Sequence, residues 1–214
     1  MSALKIHEIF FSIQGESLLV GKPTVFVRLA TCNLRCTYCD TRHAFWHGTL
    51  MEQADILAQV RKHKTKYVCL TGGEPLGQKG IYPLMDALLA EGYTVSLETN
   101  GAFPIDRVPA AVIKVIDLKT PGSGEAEAND WSNCGRALAH DQFKFVVASR
   151  EDFEWACDKC DEHGLFEKCP VLFSPVAGKV KPVELAEWIL ESGAPITMQI
   201  QLHKEIWGPD RRGV

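Results

Sequence analysis

Three thiols stand within eight residues of "CNLRCTYCDTRH": Cys32, Cys36 and Cys39, spaced C-x3-C-x2-C. The residues between them, Asn, Arg, Thr and Tyr among them, are poor core formers, so the thiols do not read as ordinary buried cysteines. A disulfide needs two cysteines and a closed zinc site four ligands. His43 follows Cys39 at C-x3-H, so a Cys3His zinc site in an interaction module is one reading. An iron–sulfur cubane is the other. It has four irons, normally with one thiolate each, so three protein thiolates leave one iron open to an outside chelator. Of the other cysteines, Cys69 lies in an apolar run and reads as a small hydrophobe. Cys157 and Cys160 sit one turn apart in a helical stretch, with Cys169 nine residues further on. They read as plain thiols, although an auxiliary metal site is an open alternative.

The elements that must hold the cluster alternate between strand and helix. Strand-like runs cover 24–30, 67–73, 93–101, 111–119, 142–149, 169–175 and 195–203, and helical patterns cover 50–64, 81–92, 151–164 and 182–193. This rhythm predicts an α/β fold with a mainly parallel sheet, either open or a partial barrel. Ligand sites then gather at the carboxyl ends of the strands. The cysteines, "TGGEP", "ETNG", "DLKTPGSG" and "FSPVAG" all follow strands and share that rim, with 120–133 predicted as a loop over it. The 214 residues are 46% hydrophobic and 23% charged, which fits one domain spanning 1–214. A net charge of −4 without basic runs argues against a standing nucleic-acid surface. No apolar run approaches the roughly 18 residues of a membrane span. Eight cysteines behind a start without a secretory pattern predict reduced thiols and a cytoplasmic setting.

With aromatic Tyr38 just before its last cysteine, the C-x3-C-x2-C pattern resembles the signature of radical S-adenosylmethionine (SAM) enzymes. The resemblance implies a [4Fe-4S] cluster on Cys32, Cys36 and Cys39, with SAM chelating the open iron through its amino and carboxylate groups. Reductive cleavage of SAM then yields a 5′-deoxyadenosyl radical. It also implies a partial, TIM-like β/α barrel. "TGGEP" (71–75) is similar to the superfamily's GGE motif, whose glycines allow close backbone approach and whose acid, here Glu74, suits the SAM ammonium.

Further segments resemble the 7-carboxy-7-deazaguanine synthase family: "IHEIFFSIQGES", "VFVRLATCNLRCTYCDT", "ETNG" and the stretch around "MQIQLHK". The family converts 6-carboxy-5,6,7,8-tetrahydropterin to 7-carboxy-7-deazaguanine with loss of ammonia, in queuosine and other 7-deazapurine biosynthesis. The likeness implies substrate contacts from Ile13, Gln14, Gly15, Glu16, Arg28 and Thr99. Arg28, in an apolar strand without an evident local partner, offers a planar fork for the substrate carboxylate. SAM contacts are implied for Tyr38, Asp40, Gly73, Glu74, Gly101, Asp117, Leu118, Lys119 and Ser174, and Mg2+ for Thr41. Partners follow in kind: an electron donor such as flavodoxin or ferredoxin, no direct nucleic acid, no membrane, and a second copy in a homodimer. The match departs where "DLKTPGSGE" replaces a Ser-Pro-Lys segment, where "SPVAG" replaces a Gln-Pro segment, and where the chain runs on through "EIWGPDRRGV". His203 and Lys204 either face the site or finish a strand. Glycyl-radical activases, which share the compact core, are the rival within enzymes; they should lack the set Gln14, Glu16 and Arg28.

Overall fold

The computed structural model describes residues 3–208 and 211–213. β1 (Leu4–Ile13) returns through a turn at Ser17 and Gly21, both with positive φ, into antiparallel β2 (Pro23–Leu29). After the cysteine loop come β3 (Thr49–Met51), α1 (Gln53–Val60), β4 (Tyr67–Gly72), α2 (Ile81–Ala90), β5 (Thr94–Thr99) and β6 (Ile113–Leu118). Then follow α3 (Ser132–Arg136), β7 (Gln142–Val147), α4 (Arg150–Glu162), β8 (Val171–Pro175), α5 (Pro182–Ser192), β9 (Ile196–Met198) and α6 (Leu202–Trp207). The nine strands form one sheet in the order β3-β1-β2-β4-β5-β6-β7-β8-β9. From β2 to β9 every pairing is parallel; only β1 runs against both its neighbours.

Alternation along the parallel strands sorts the side chains. Val25, Val27, Leu29, Val68, Leu70, Val95, Leu97, Ile116, Phe143 and Phe145 enter a core completed by Ile56, Leu84, Leu88, Phe153 and Leu185 of the helices. The intervening Phe26, Arg28, Thr71, Glu98, Asp117, Lys144 and Val146 face the cavity on the other side of the sheet. Cys134, Cys160 and Cys169 are buried in the core and Cys157 packs against it, so these thiols serve as small apolar groups. β1 breaks the alternation. Ile6 pairs with Leu29 and Glu8 with Arg28, leaving His7 as the extra residue of a β-bulge. Ile6 and Ile9 therefore both meet the core, while Glu8 and Phe10 line the cavity.

Beyond β1 and α3, which the expected runs do not include, three elements differ from the sequence pattern. The helix expected over 50–64 is shorter, because Thr49–Met51 pair with Leu4–Ile6 and Glu52 is extended before the first turn; Leu50 is 72% exposed. The strand expected over 195–203 stops at Met198 and gives way to α6. The stretch 120–133 is not a plain loop but carries short 3-10 turns at Pro121–Ser123 and Ala126–Ala128. It lies against the cysteine loop through Thr37 N–H to Ser123 O (2.9 Å) and Arg35 N–H to Glu125 Oε1 (2.5 Å).

β3 and β9 are the sheet's two edges and do not pair, so the barrel is incomplete. Side chains and loops bridge the gap instead. Gln199 accepts from Ser17 N–H (2.8 Å) and donates to Ser17 O (2.7 Å), and Leu202 N–H donates to Gly15 O (3.0 Å). Ser17 and Gln199 are both buried. Gln199→Ala leaves the buried Ser17 N–H without a partner, while Ser17 O keeps Val20 N–H (3.2 Å), at a cost of about 1–3 kcal/mol. The expected result is a lower urea midpoint with an unchanged m-value, read by circular dichroism.

Candidate active site

The site begins with a place where no Cβ fits. A Cβ on Gly72 (φ 134°) would run into the backbone of Leu29, and one on Gly73 into the carbonyl oxygen of Thr31. The close approach allows Gly73 N–H to donate to Leu29 O (3.0 Å) and Glu74 N–H to Thr31 O (2.8 Å). The Glu74 carboxylate then accepts from Leu76 N–H (2.9 Å), Thr99 Oγ1 (2.9 Å) and Asn100 N–H (2.7 Å), at 1% exposure. Burial pushes its pKa up despite these donors. The sequence suggested that this acid meets a ligand ammonium. In the structure its oxygens are committed to the backbone and to Thr99, and its side chain does not line the cavity.

Cys32, Cys36 and Cys39 all line a cavity of about 710 Å³, within the range of small-molecule sites. Leu34 N–H (3.4 Å) and Asn100 Nδ2 (3.8 Å) point at Cys32 Sγ, as donors to a metal-bound thiolate would. Burial raises the pKa of Cys36 and Cys39 against the pull of Lys119, so without a metal both thiols stay protonated through neutral pH. Ligands of one zinc ion, at about 2.3 Å, stand about 3.8 Å apart. Among the described residues, the three thiols form no set of ligand atoms within 4.8 Å of one another, whereas His7, Glu8 and His43 do. The three thiols are thus not gathered as the ligands of a single ion, and His43 stands with His7 and Glu8 instead of completing a Cys3His set.

The same cavity gathers Ile13, Gln14, Gly15, Glu16, Arg28, Tyr38, Asp40, Thr41, Gly73, Thr99, Asp117 and Lys119. Gly101, Leu118 and Ser174 do not line it. Gly101 has φ 74° and faces Leu118 and Ile116, Leu118 packs into the core, and Ser174 is 1% exposed. Arg28 does have a partner, on the neighbouring strand: its Nε donates to Glu8 Oε1 at 2.8 Å, across the β1–β2 pair. Gln14 is 2% exposed, with Nε2 unpartnered. Glu16 accepts from Lys144 Nζ and from Gln201 Nε2 (2.8 Å). Burial acts to raise its pKa, but the Lys144 ammonium outweighs burial and holds it below the usual carboxylate value. Asp40 is likewise held low, burial being overcome by Lys204 Nζ at 2.8 Å. Lys119, opposite Asp117 at 3.1 Å, stays charged well above its ordinary range although burial opposes it. Tyr38 donates to Val146 O (2.9 Å), and burial pushes its hydroxyl up to about 12.

Glu8, Lys144, Asn100 and Gln201 were missed in the sequence. Each looks ordinary in its own segment, and only its partner reveals a role. His203 and Lys204 finish no strand; both lie on α6 and line the cavity.

Three thiols at the carboxyl end of β2, beside a Gly-Gly crossing on a parallel half-barrel, define the radical SAM class. The model of the Radical SAM superfamily matches residues 27–120. In overall fold the chain is similar to QueE from Escherichia coli, with a TM-score of 0.76 and 23% identity over 92% of this chain and 94% of that one. It is 47% identical to 7-carboxy-7-deazaguanine synthase of Chlorobaculum tepidum over 99% of this chain and 97% of the relative. With the synthase of Koribacter versatilis the identity is 40%, covering 99% of this chain and 100% of that one. The chain belongs to the 7-carboxy-7-deazaguanine synthase family and is a radical SAM enzyme.

The Lys144–Glu16 pair makes a prediction with a defined sign. In the native protein the Glu16 pKa is depressed, so the pair's stabilisation is present above the ordinary value of 4.5 and fades as pH falls below it. Lys144→Met leaves a buried carboxylate without its cation, a loss of about 3–5 kcal/mol at pH 8. Protonation of Glu16 then relieves the variant as pH falls. Denaturant melts at pH 8 and pH 5 should show the gap to the parent protein shrinking at the lower pH.

Proposed function

We propose that this chain, as a single radical SAM domain, converts 6-carboxy-5,6,7,8-tetrahydropterin to 7-carboxy-7-deazaguanine with release of ammonia. The observation that carries the reading is one cavity holding three thiols, a guanidinium and the half-buried Glu16 carboxylate. A [4Fe-4S] cluster on Cys32, Cys36 and Cys39 together with bound SAM supplies hydrogen-atom abstraction. The protein's own residues bind and orient. Arg28 receives the substrate carboxylate: Glu8 holds its Nε and Phe10 lies 5.5 Å from the guanidinium, so the terminal amino groups stay available as a fork. Gln14 and Glu16 read the donor-rich pterin edge, with Lys144 and Gln201 fixing the Glu16 carboxylate. Thr99, anchored on Glu74, presents a third polar contact.

Thr41 Oγ1 donates to Asp40 Oδ1 (3.0 Å), which leaves its oxygen lone pairs free; it would hold Mg2+, with water and the substrate carboxylate supplying the other oxygens. Tyr38, Asp40, Gly73, Asp117 and Lys119 form the SAM side of the wall. In this reading Glu74 and Gly101 act through the backbone they shape, Leu118 contributes backbone only, and Ser174 precedes the lining residues Pro175 and Val176. A flavodoxin or ferredoxin delivers the electron, and the chain works as a cytoplasmic homodimer without touching nucleic acid or membrane. Among the described residues no helix is long and apolar enough to cross a membrane. The presence of Gln14, Glu16 and Arg28 on one wall favours a small carboxylated heterocycle over the protein backbone that an activase would attack.

Anaerobically reconstituted protein given reductant, SAM, Mg2+ and the carboxypterin should release ammonium and the purine carboxylate in equal amounts; the absence of both products would overturn the proposal. In Arg28→Ala, calorimetry should find carboxypterin binding weaker by about 1.5–3 kcal/mol, the worth of a hydrogen bond to a charged group. The cluster absorbance should be unaltered.

A further inference from the structure

The bulge in β1 does something that the radical chemistry does not require. Neighbouring residues of a regular strand point to opposite faces, but the extra residue at His7 re-aims its side chain. His7 and Glu8 consequently meet His43, which the 3-10 turn Arg42–Ala44 carries across from the cysteine loop. One ligand atom from each of the three lies within 4.8 Å of the others, and all three residues are half-buried.

Two of the three donors are already oriented by hydrogen bonds. His7 Nδ1 lies 2.8 Å from the carbonyl oxygen of His47 and can only donate to it. That fixes the tautomer and leaves Nε2 with its lone pair, the outer-shell support that metal-binding histidines usually have. Glu8 Oε1 accepts from Arg28 Nε, which orients the carboxylate and leaves Oε2 to coordinate. Two imidazoles and one carboxylate, whose charge Arg28 already balances, suit an ion of borderline softness. Mg2+ and Ca2+ prefer shells of oxygen and more negative charge.

We propose that His7, Glu8 and His43 form a binding site for a divalent transition metal, Zn2+ in kind, with water completing the shell. Its ligands are other residues than the three thiols and Thr41, although Glu8 and His43 line the same cavity, and it stands whether or not the reaction proposed above is correct. Because Glu8 would join the ion to Arg28, an occupied site would hold the Arg28 fork from behind.

The test uses the cluster-loaded protein, whose Cys32, Cys36 and Cys39 are already occupied. After anaerobic equilibration with Zn2+ and desalting, plasma mass spectrometry should find one retained zinc per chain. Zinc-edge X-ray absorption should show only nitrogen and oxygen neighbours. His7→Gln and His43→Gln should each lower zinc affinity at least tenfold while keeping the iron content and the helical signal, and Thr41→Ala should keep its zinc. No retained zinc, sulfur in the shell, equal retention by both histidine variants, or loss of the zinc in Thr41→Ala would each overturn the site.

Discussion

Where the strand end of β4 crosses the segment leaving β2, the two backbones are too close for any side chain. That exclusion governs the active side of the molecule. Gly72 and Gly73 satisfy it, and their approach sets the hydrogen bonds to Leu29 and Thr31. Thr31 is thereby held at φ 73°, an unusual conformation for a β-branched residue, and the cysteine loop starts from it. Glu74 passes the constraint on, fastening Thr99 and Asn100. Asn100 in turn reaches Asn33 Oδ1 at 2.9 Å and Cys32 Sγ at 3.8 Å. The Gly-Gly-Glu segment is therefore a structural clamp, whose acid fastens Thr99 and Asn100.

Charge in the cavity follows a second rule: the key charged residues on its wall are paired. Arg28 has Glu8, Lys144 has Glu16, Lys119 has Asp117 and Lys204 has Asp40. Pairs like these contribute little net stability, because desolvation consumes most of the attraction. Their value is a fixed field. Lys119 and Lys144 stay charged above their ordinary range while Asp40 and Glu16 stay ionised below theirs, so the wall keeps one charge pattern across neutral pH. A charged ligand meets oriented partners and exchanges one hydrogen bond for another.

The half-barrel is closed by polar contacts rather than by a strand pair. Gln199 on Ser17, Leu202 on Gly15 and Gln201 on Glu16 bring α6 against the segment after β1. Gly15 has its own reason to be glycine, because a Cβ there would collide with His203. The chain beyond the last strand thus helps build the wall that carries Gln14 and Glu16.

The sequence by itself determined what is local. Thiol spacing, the two-residue period of the strands and the helical period between them can be read within a dozen residues, since each depends on neighbouring backbone geometry alone. The Arg28 partner lies 20 residues away and the Glu16 partner 128 residues away, and no spacing rule reaches that far. Period two also misleads at β1, where one inserted residue exchanges the faces and turns Glu8 inward. Which strands become neighbours, whether the Glu74 carboxylate faces ligand or backbone, and where His43 points are settled only when the core is packed. Burial then forces each buried charge and each buried hydrogen-bonding group to find whichever partner the fold has brought near.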